Sequence, residues 1–226
     1  MNTMYRWYRI QYPRENFEIS SIIEGNPFTS KSNFGFAFIK DEFGNLKYRF
    51  LKRSKLTITV LDENGEPAYQ DVLTVDVIDF SIFYIDSFVF LRVENPGRSI
   101  RALLNTLEKL IGLGFRCKAV TFEKIKPTEI FSNLDDTKLV GLKVTGILSG
   151  QNLKANLELT SNEGFVTDNI KILEGMRYSI SSAVIDVLYE GLRGRVSLAS
   201  TGLVKVTGKL TPKIIHIIEK SLPKSL

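Results

Sequence analysis

Residues 192–210 read LRGRVSLASTGLVKVTGKL, and the way their polar and apolar side chains alternate sets the architecture expected for the rest of the chain. Arg193, Arg195 and Ser197 interleave with Val196 and Leu198. Lys205, Thr207 and Lys209 interleave with Val204, Val206 and Leu210. A period of two is the signature of a half-buried strand, and Ser200-Thr201-Gly202 between the two runs fits a three-residue hairpin loop with glycine at its left-handed position. That loop sets a register in which Ala199 faces Leu203, Ser197 faces Lys205, Arg195 faces Thr207 and Arg193 faces Lys209. A slip of one residue would drive the cations into the core, so the alternation and the turn agree. Arg193 opposite Lys209 is a like-charge pair that an anion would relieve, and the hairpin itself holds no acid.

The same period extends in both directions. KLVGLKVTGILS, LKANLELT and YSISSAVIDVLY upstream predict an antiparallel meander, and FGFAFIK and LKYRFLKR around DEFGN predict a hairpin over about 34–53. SKLTITVLD leads to a turn at Asn64-Gly65. VLTVDVIDFSIFYIDSFVFLRVEN (72–95) is apolar enough for two central strands joined near Asp86-Ser87. RSIRALLNTLEKLIGLG spaces Ile100, Leu103, Leu104, Leu107, Leu110 and Ile111 as one helix face, with Ser99 as N-cap. TPKIIHIIEKSL closes the chain as a helix capped by Thr211 with Pro212 at its first position. The expected class is α+β: mostly antiparallel sheets with helices packed on one face, in two subdomains, 1–137 and 138–226, divided at KPTEIFSNLDDT.

Composition bounds the chemistry. With 43% hydrophobic residues the chain is not disordered, and no run of about 18 apolar residues or secretory leader is present, so a cytoplasmic protein without a membrane segment is expected. One cysteine, Cys117, excludes an internal disulfide, and one histidine, His216, leaves no zinc ligand set within the chain. His216 reads as a solvent-facing helix residue. GLVKVTGKL fails as a phosphate loop in both spacing and context. Asp41-Glu42 and Asp135-Asp136 fit turns. Asp76, Asp79 and Asp86 beside the apolar strands leave an enzyme centre as a third reading, with Asp79 at its heart. No cofactor or metal is expected.

Charge is the stronger signal. The net charge is +5; residues 1–137 hold 18 basic and 18 acidic side chains, residues 138–226 hold 12 and 7, so the excess is entirely C-terminal. Clustered cations favour polyanions through long-range attraction and counterion release. The expected phosphate-contacting residues are Arg193, Arg195, Lys205 and Lys209 of the hairpin and Lys213 and Lys220 of the last helix. The run KYRFLKRSK adds Lys47, Arg49, Lys52, Arg53 and Lys55. Its Tyr48 and Phe50 alternate onto the side expected to enter the core, which weighs against stacking on bases.

Strands FGFAFIK and LKYRFLKRSK, the pair FSIFYIDSFVFLRVE before helix RSIRALLNTLEKLIG, and the basic, strand-rich C-terminal region together resemble a group of phage-defence proteins that includes the Rex A-type and Kiwa B-type proteins. The resemblance covers most of the chain as an order of elements. It implies DNA binding without strong sequence preference, homo-oligomer formation and a part in sensing phage replication, and it transfers no catalytic residue. The expected function is a nucleic-acid-binding, non-enzymatic protein. The alternative is an adaptor subunit of a complex, docking an acidic partner protein through the same basic face.

Overall fold

The computed structural model describes residues 2–12, 18–40, 46–97, 99–123, 126–148, 153–174 and 176–225. Its strands are β1 (Asn2–Gln11), β2 (Phe34–Lys40), β3 (Leu46–Leu61), β4 (Pro67–Ile85), β5 (Phe88–Glu94), β6 (Arg116–Ala119), β7 (Asp136–Leu148), β8 (Leu153–Thr160), β9 (Met176–Tyr189), β10 (Leu192–Ala199) and β11 (Leu203–Gly208). The helices are α1 (Ile19–Glu24), α2 (Ile100–Ile111), α3 (Lys171–Glu174) and α4 (Thr211–Ser221).

These strands belong to one predominantly antiparallel sheet in the order β2-β3-β4-β5-β1-β11-β10-β9-β7-β8, with β6 on β1. The expected α+β class is thereby corrected. The period-two pattern runs unbroken through very long strands, 16 residues in β3 and 19 in β4, so strand ladders take up most of the chain. Among the described residues the longest helix has only 12, and the helices are too few and short to make the helical layer that an α+β fold requires.

The chain divides into two compact units, each discontinuous in sequence: Met1–Arg9, Tyr84–Arg92 and Lys118–Leu226 in the first, Ile10–Phe83 and Val93–Cys117 in the second. In the second unit, β2 pairs with β3 from Phe34↔Lys52 to Lys40↔Leu46, and β3 pairs with β4 from Leu46↔Ile82 to Leu61↔Pro67. Phe36, Tyr48, Phe50 and Phe80 form its aromatic centre, with ring centroids 5.4 to 6.1 Å apart and every ring sealed from solvent. Leu103, Leu107 and Ile111 are the buried stripe of α2, as the spacing predicts. Ser99, expected to cap it, makes no side-chain cap bond.

In the first unit β10 lies between β9 and β11, and β7 lies between β9 and β8. Val196, Leu198, Val204 and Val206 are buried on one side of the hairpin, together with Ile185 and Val187 of β9. Helix α4 covers that side with Ile214, Ile215 and Ile218. Its close seat needs Gly194, where an added Cβ would lie 2.9 Å from Ile214 Cδ1. Thr211 is not the cap but the first helical residue, and its hydroxyl donates to Gly208 O at 2.8 Å. A charge is buried here too. Arg92 of β5 has no exposed surface; its Nη1 donates to Glu219 Oε1 of α4 at 2.9 Å, and Trp7 Nε1 donates to the same oxygen at 3.2 Å.

Candidate nucleic-acid interface

The hairpin has the register its sequence predicts: Arg195 faces Thr207, Val196 faces Val206, and Ser197 faces Lys205. Gly202 adopts φ +89° in the loop. The pair expected at the open end does not form. β11 stops at Gly208, whose φ of +107° swings the chain into the turn before α4 and takes Lys209 out of the ladder. Arg193 instead stands opposite Leu188 of β9.

Arg195 faces an acid that the sequence reading missed. Asp186 of β9 is its direct cross-strand neighbour and accepts two bonds, from Nε at 2.5 Å and from Nη2 at 2.7 Å. The bond from Arg195 holds the Asp186 carboxyl below its usual range, and the charges of Arg195 and Arg193 add to the effect while partial burial opposes it. The signal was present only as a residue type: Asp186 is the lone acid in YSISSAVIDVLY, in phase with the apolar Ile180, Val184 and Leu188. The expected meander puts this strand beside β10; it does not supply the register that sets Asp186 against Arg195. Arg193 and Arg195 line a depression of about 430 Å3 together with Asp136, Lys138 and Asp186, so charges of both signs meet on this side of the sheet.

The last helix presents its cations on the other side. Gly194 and Val196 point toward α4, whereas Arg193, Arg195 and Lys205 alternate away from it. Lys213, His216 and Lys220 are exposed on α4, and Lys224 follows in the 3-10 turn Leu222–Ser225. Their spacing of three and four residues places them on one helix face. They line a groove of about 350 Å3 with Tyr189, Ser132, Asn133 and a single acid, Glu129. Lys213 Nζ lies 4.4 Å from the centre of the Tyr189 ring and donates to its hydroxyl at 3.3 Å. Lys224 lies beyond TPKIIHIIEKSL, the segment whose spacing predicts the closing helix, and is not among the expected contacts; the 3-10 turn carries the helix face on to it.

The cations of the Lys47–Lys55 run in the second unit are largely engaged. Lys47 bonds Glu94 at 2.8 Å, Arg49 forms a two-pronged pair with Asp79 at 2.7 and 2.9 Å, and Lys55 bonds Asp71 at 2.7 Å. Arg53 donates to the carbonyls of Ser32, Ser30 and Thr29 and lies over the Phe28 ring. Lys52 is exposed, opposite Asp76. Tyr48 and Phe50 are core residues and offer no ring to a base.

The Arg49 pair also accounts for Asp79, the proposed centre of an enzyme reading, and Asp76 accepts from Ser54 Oγ at 2.7 Å. Among the described residues no three His, Cys, Asp or Glu side chains come together as a metal site. Burial pushes the Cys117 thiol up to about 12, which leaves it protonated and unreactive at neutral pH. No described helix is long and apolar enough to cross a membrane. No family model matches the chain, and no curated protein matches its sequence.

Proposed function

We propose that the protein binds nucleic acid through phosphate contacts, without sequence preference and without catalysis, and that the α4 groove is the principal contact. The carrying observation is the exposed set Lys213, His216, Lys220 and Lys224 on one helical face, with Glu129 the one acid lining the groove beside them. Lysines on mobile stems meet phosphate oxygens as point charges and read no base edges, so they confer affinity without choice of sequence. Lys209, exposed in the turn that leads into α4, extends the same cationic end of the chain. Arg193 and Lys205 are exposed on the other side of the sheet, where Arg195 is already tied to Asp186, and they form a secondary surface. The resemblance to the Rex A-type and Kiwa B-type group supplies the setting, a component of a phage-defence complex.

Fluorescence anisotropy with a labelled duplex and a labelled single strand, at about 50 and 200 mM salt, tests the reading. The double variant Lys213→Glu/Lys220→Glu lowers affinity at low salt and makes the salt dependence shallower by about two ions released, one per lysine. Arg195→Gln changes little. Full binding by the groove variant would sink the assignment. An acidic protein that co-purifies and competes for the groove, with no binding of either nucleic acid, would favour the adaptor role.

A further inference from the structure

The α4 groove has one large aromatic ring among the described residues that line it, and the β9–β10 hairpin puts it there. Ile185 and Val187 of β9 are buried on the side that α4 covers. Tyr189 is the next residue in phase with them, and it pairs with Leu192 at the last rung of the ladder. Its ring therefore emerges on the same side, half-buried. Glu190 and Gly191 follow with φ +48° and +74°, the two-residue turn of a tight hairpin. The Glu190 N–H donates to Asp135 Oδ2 at 2.7 Å, which ties this turn to the segment whose Ser132 and Asn133 also line the groove.

The core does not enclose the ring. Lys213 Nζ lies 4.4 Å from its centre and donates to its hydroxyl at 3.3 Å, so a cation on a long stem rests against it. An ammonium over an exposed ring is a weak contact, whereas a charge-assisted bond to a phosphate oxygen is stronger. A phosphate that draws Lys213 away uncovers a flat apolar surface among cations. Ser132 and Asn133, both exposed, add a hydroxyl and an amide that can bond to a base edge or a sugar.

A cationic groove with an aromatic surface inside it is the arrangement that binds single strands. In a duplex the base faces are hidden in the stack, and the ring has nothing to meet. In a single strand each base has a face to offer. The groove, at about 350 Å3, is on the scale of a small-molecule site; it admits the side groups of a strand but not the rounded body of a duplex.

We infer that the α4 groove takes single-stranded nucleic acid, with one base stacked on Tyr189 and the flanking phosphates on Lys213 and Lys220. The inference rests on the nucleic-acid reading of this groove and adds the form of the strand. Stacking tolerates any base, so binding remains without sequence preference. Lys213 moves from the ring to a phosphate as the base arrives.

Fluorescence anisotropy at about 50 mM salt compares three probes of equal length: an oligothymidylate, an abasic strand with the same phosphates and no bases, and a duplex. The native chain binds the oligothymidylate about fivefold or more tighter than the abasic strand. Tyr189→Ala brings that ratio close to one, and Tyr189→Phe, which keeps the ring, restores it. Far-UV circular dichroism checks the fold of each variant. Photo-crosslinking of the native chain to an iodouracil-substituted strand, mapped by mass spectrometry, places the adduct at Tyr189 without any substitution. Equal native affinity for the oligothymidylate and the abasic strand overturns the inference, as does a native preference for the duplex, a ratio unchanged in Tyr189→Ala, or an adduct that misses Tyr189. If Lys213→Glu/Lys220→Glu still weakens binding to all three probes in that event, the phosphate reading of the groove stands. A native chain that binds none of the probes overturns both.

Discussion

Arg92 and Glu219 lie 127 residues apart in sequence and form a 2.9 Å ion pair with both side chains sealed from solvent. The pair fastens α4 to β5, and the Trp7 indole N–H completes the coordination of the same oxygen. A buried carboxylate or guanidinium left alone is costly, whereas removing both charges together is not. Glu219→Ala therefore lowers stability by about 3–5 kcal/mol, because it removes the carboxylate that faces a fully buried guanidinium. Arg92→Met/Glu219→Leu recovers only part of the loss, because the buried Trp7 indole N–H still loses its acceptor, at about 1–3 kcal/mol. Urea denaturation of the three variants measures the difference.

Asp186 links stability to pH. Its folded pKa is held below the unfolded value of about 3.9, so its contribution is fully present above that pH and is lost as the pH falls through the depressed folded value. Its side chain is 39% exposed, so solvent screening keeps the effect modest. Urea midpoints measured from neutral pH down to about 3 fall less steeply in Asp186→Asn than in the native chain. Parallel curves would remove the linkage.

Two glycines with similar backbones are expected to respond differently to alanine. Gly65 has φ +81° and open space around its missing Cβ, so Gly65→Ala costs only the left-handed strain, about 1–2 kcal/mol. Gly202 has φ +89°, and a Cβ there would sit 1.8 Å from Val120 O. Backbone must move to admit it, so Gly202→Ala costs well over about 2 kcal/mol, a difference that thermal melting resolves.

Cys117 is protected by its environment. With a thiol pushed up to about 12, the thiolate fraction at pH 8 is about one in ten thousand. An aromatic disulfide reagent modifies the folded protein far more slowly than the urea-unfolded chain, where an ordinary thiol reacts within minutes. Equal rates in the two states would mean that burial does not set the reactivity.

The sequence by itself determined the local structure: the period-two strands, the turns at Asn64-Gly65 and at Gly202, the faces of α2 and α4, and the 195–207 register. Each follows from side chains within a few residues of one another, because alternation and turn geometry fix which groups share a face. Only the tertiary structure decided the β class, since helical and extended segments compete for the same chain until long ladders form. It alone decided the non-sequential neighbours, β1 beside β11 and β7 beside β9, and the side-chain pairings that gave Asp186 to Arg195, Asp79 to Arg49 and Glu219 to Arg92. It also put the cations of the hairpin and of α4 on opposite sides of one sheet. Whether a charge is free or answered depends on neighbours that meet through space, and composition and spacing carry no record of those meetings.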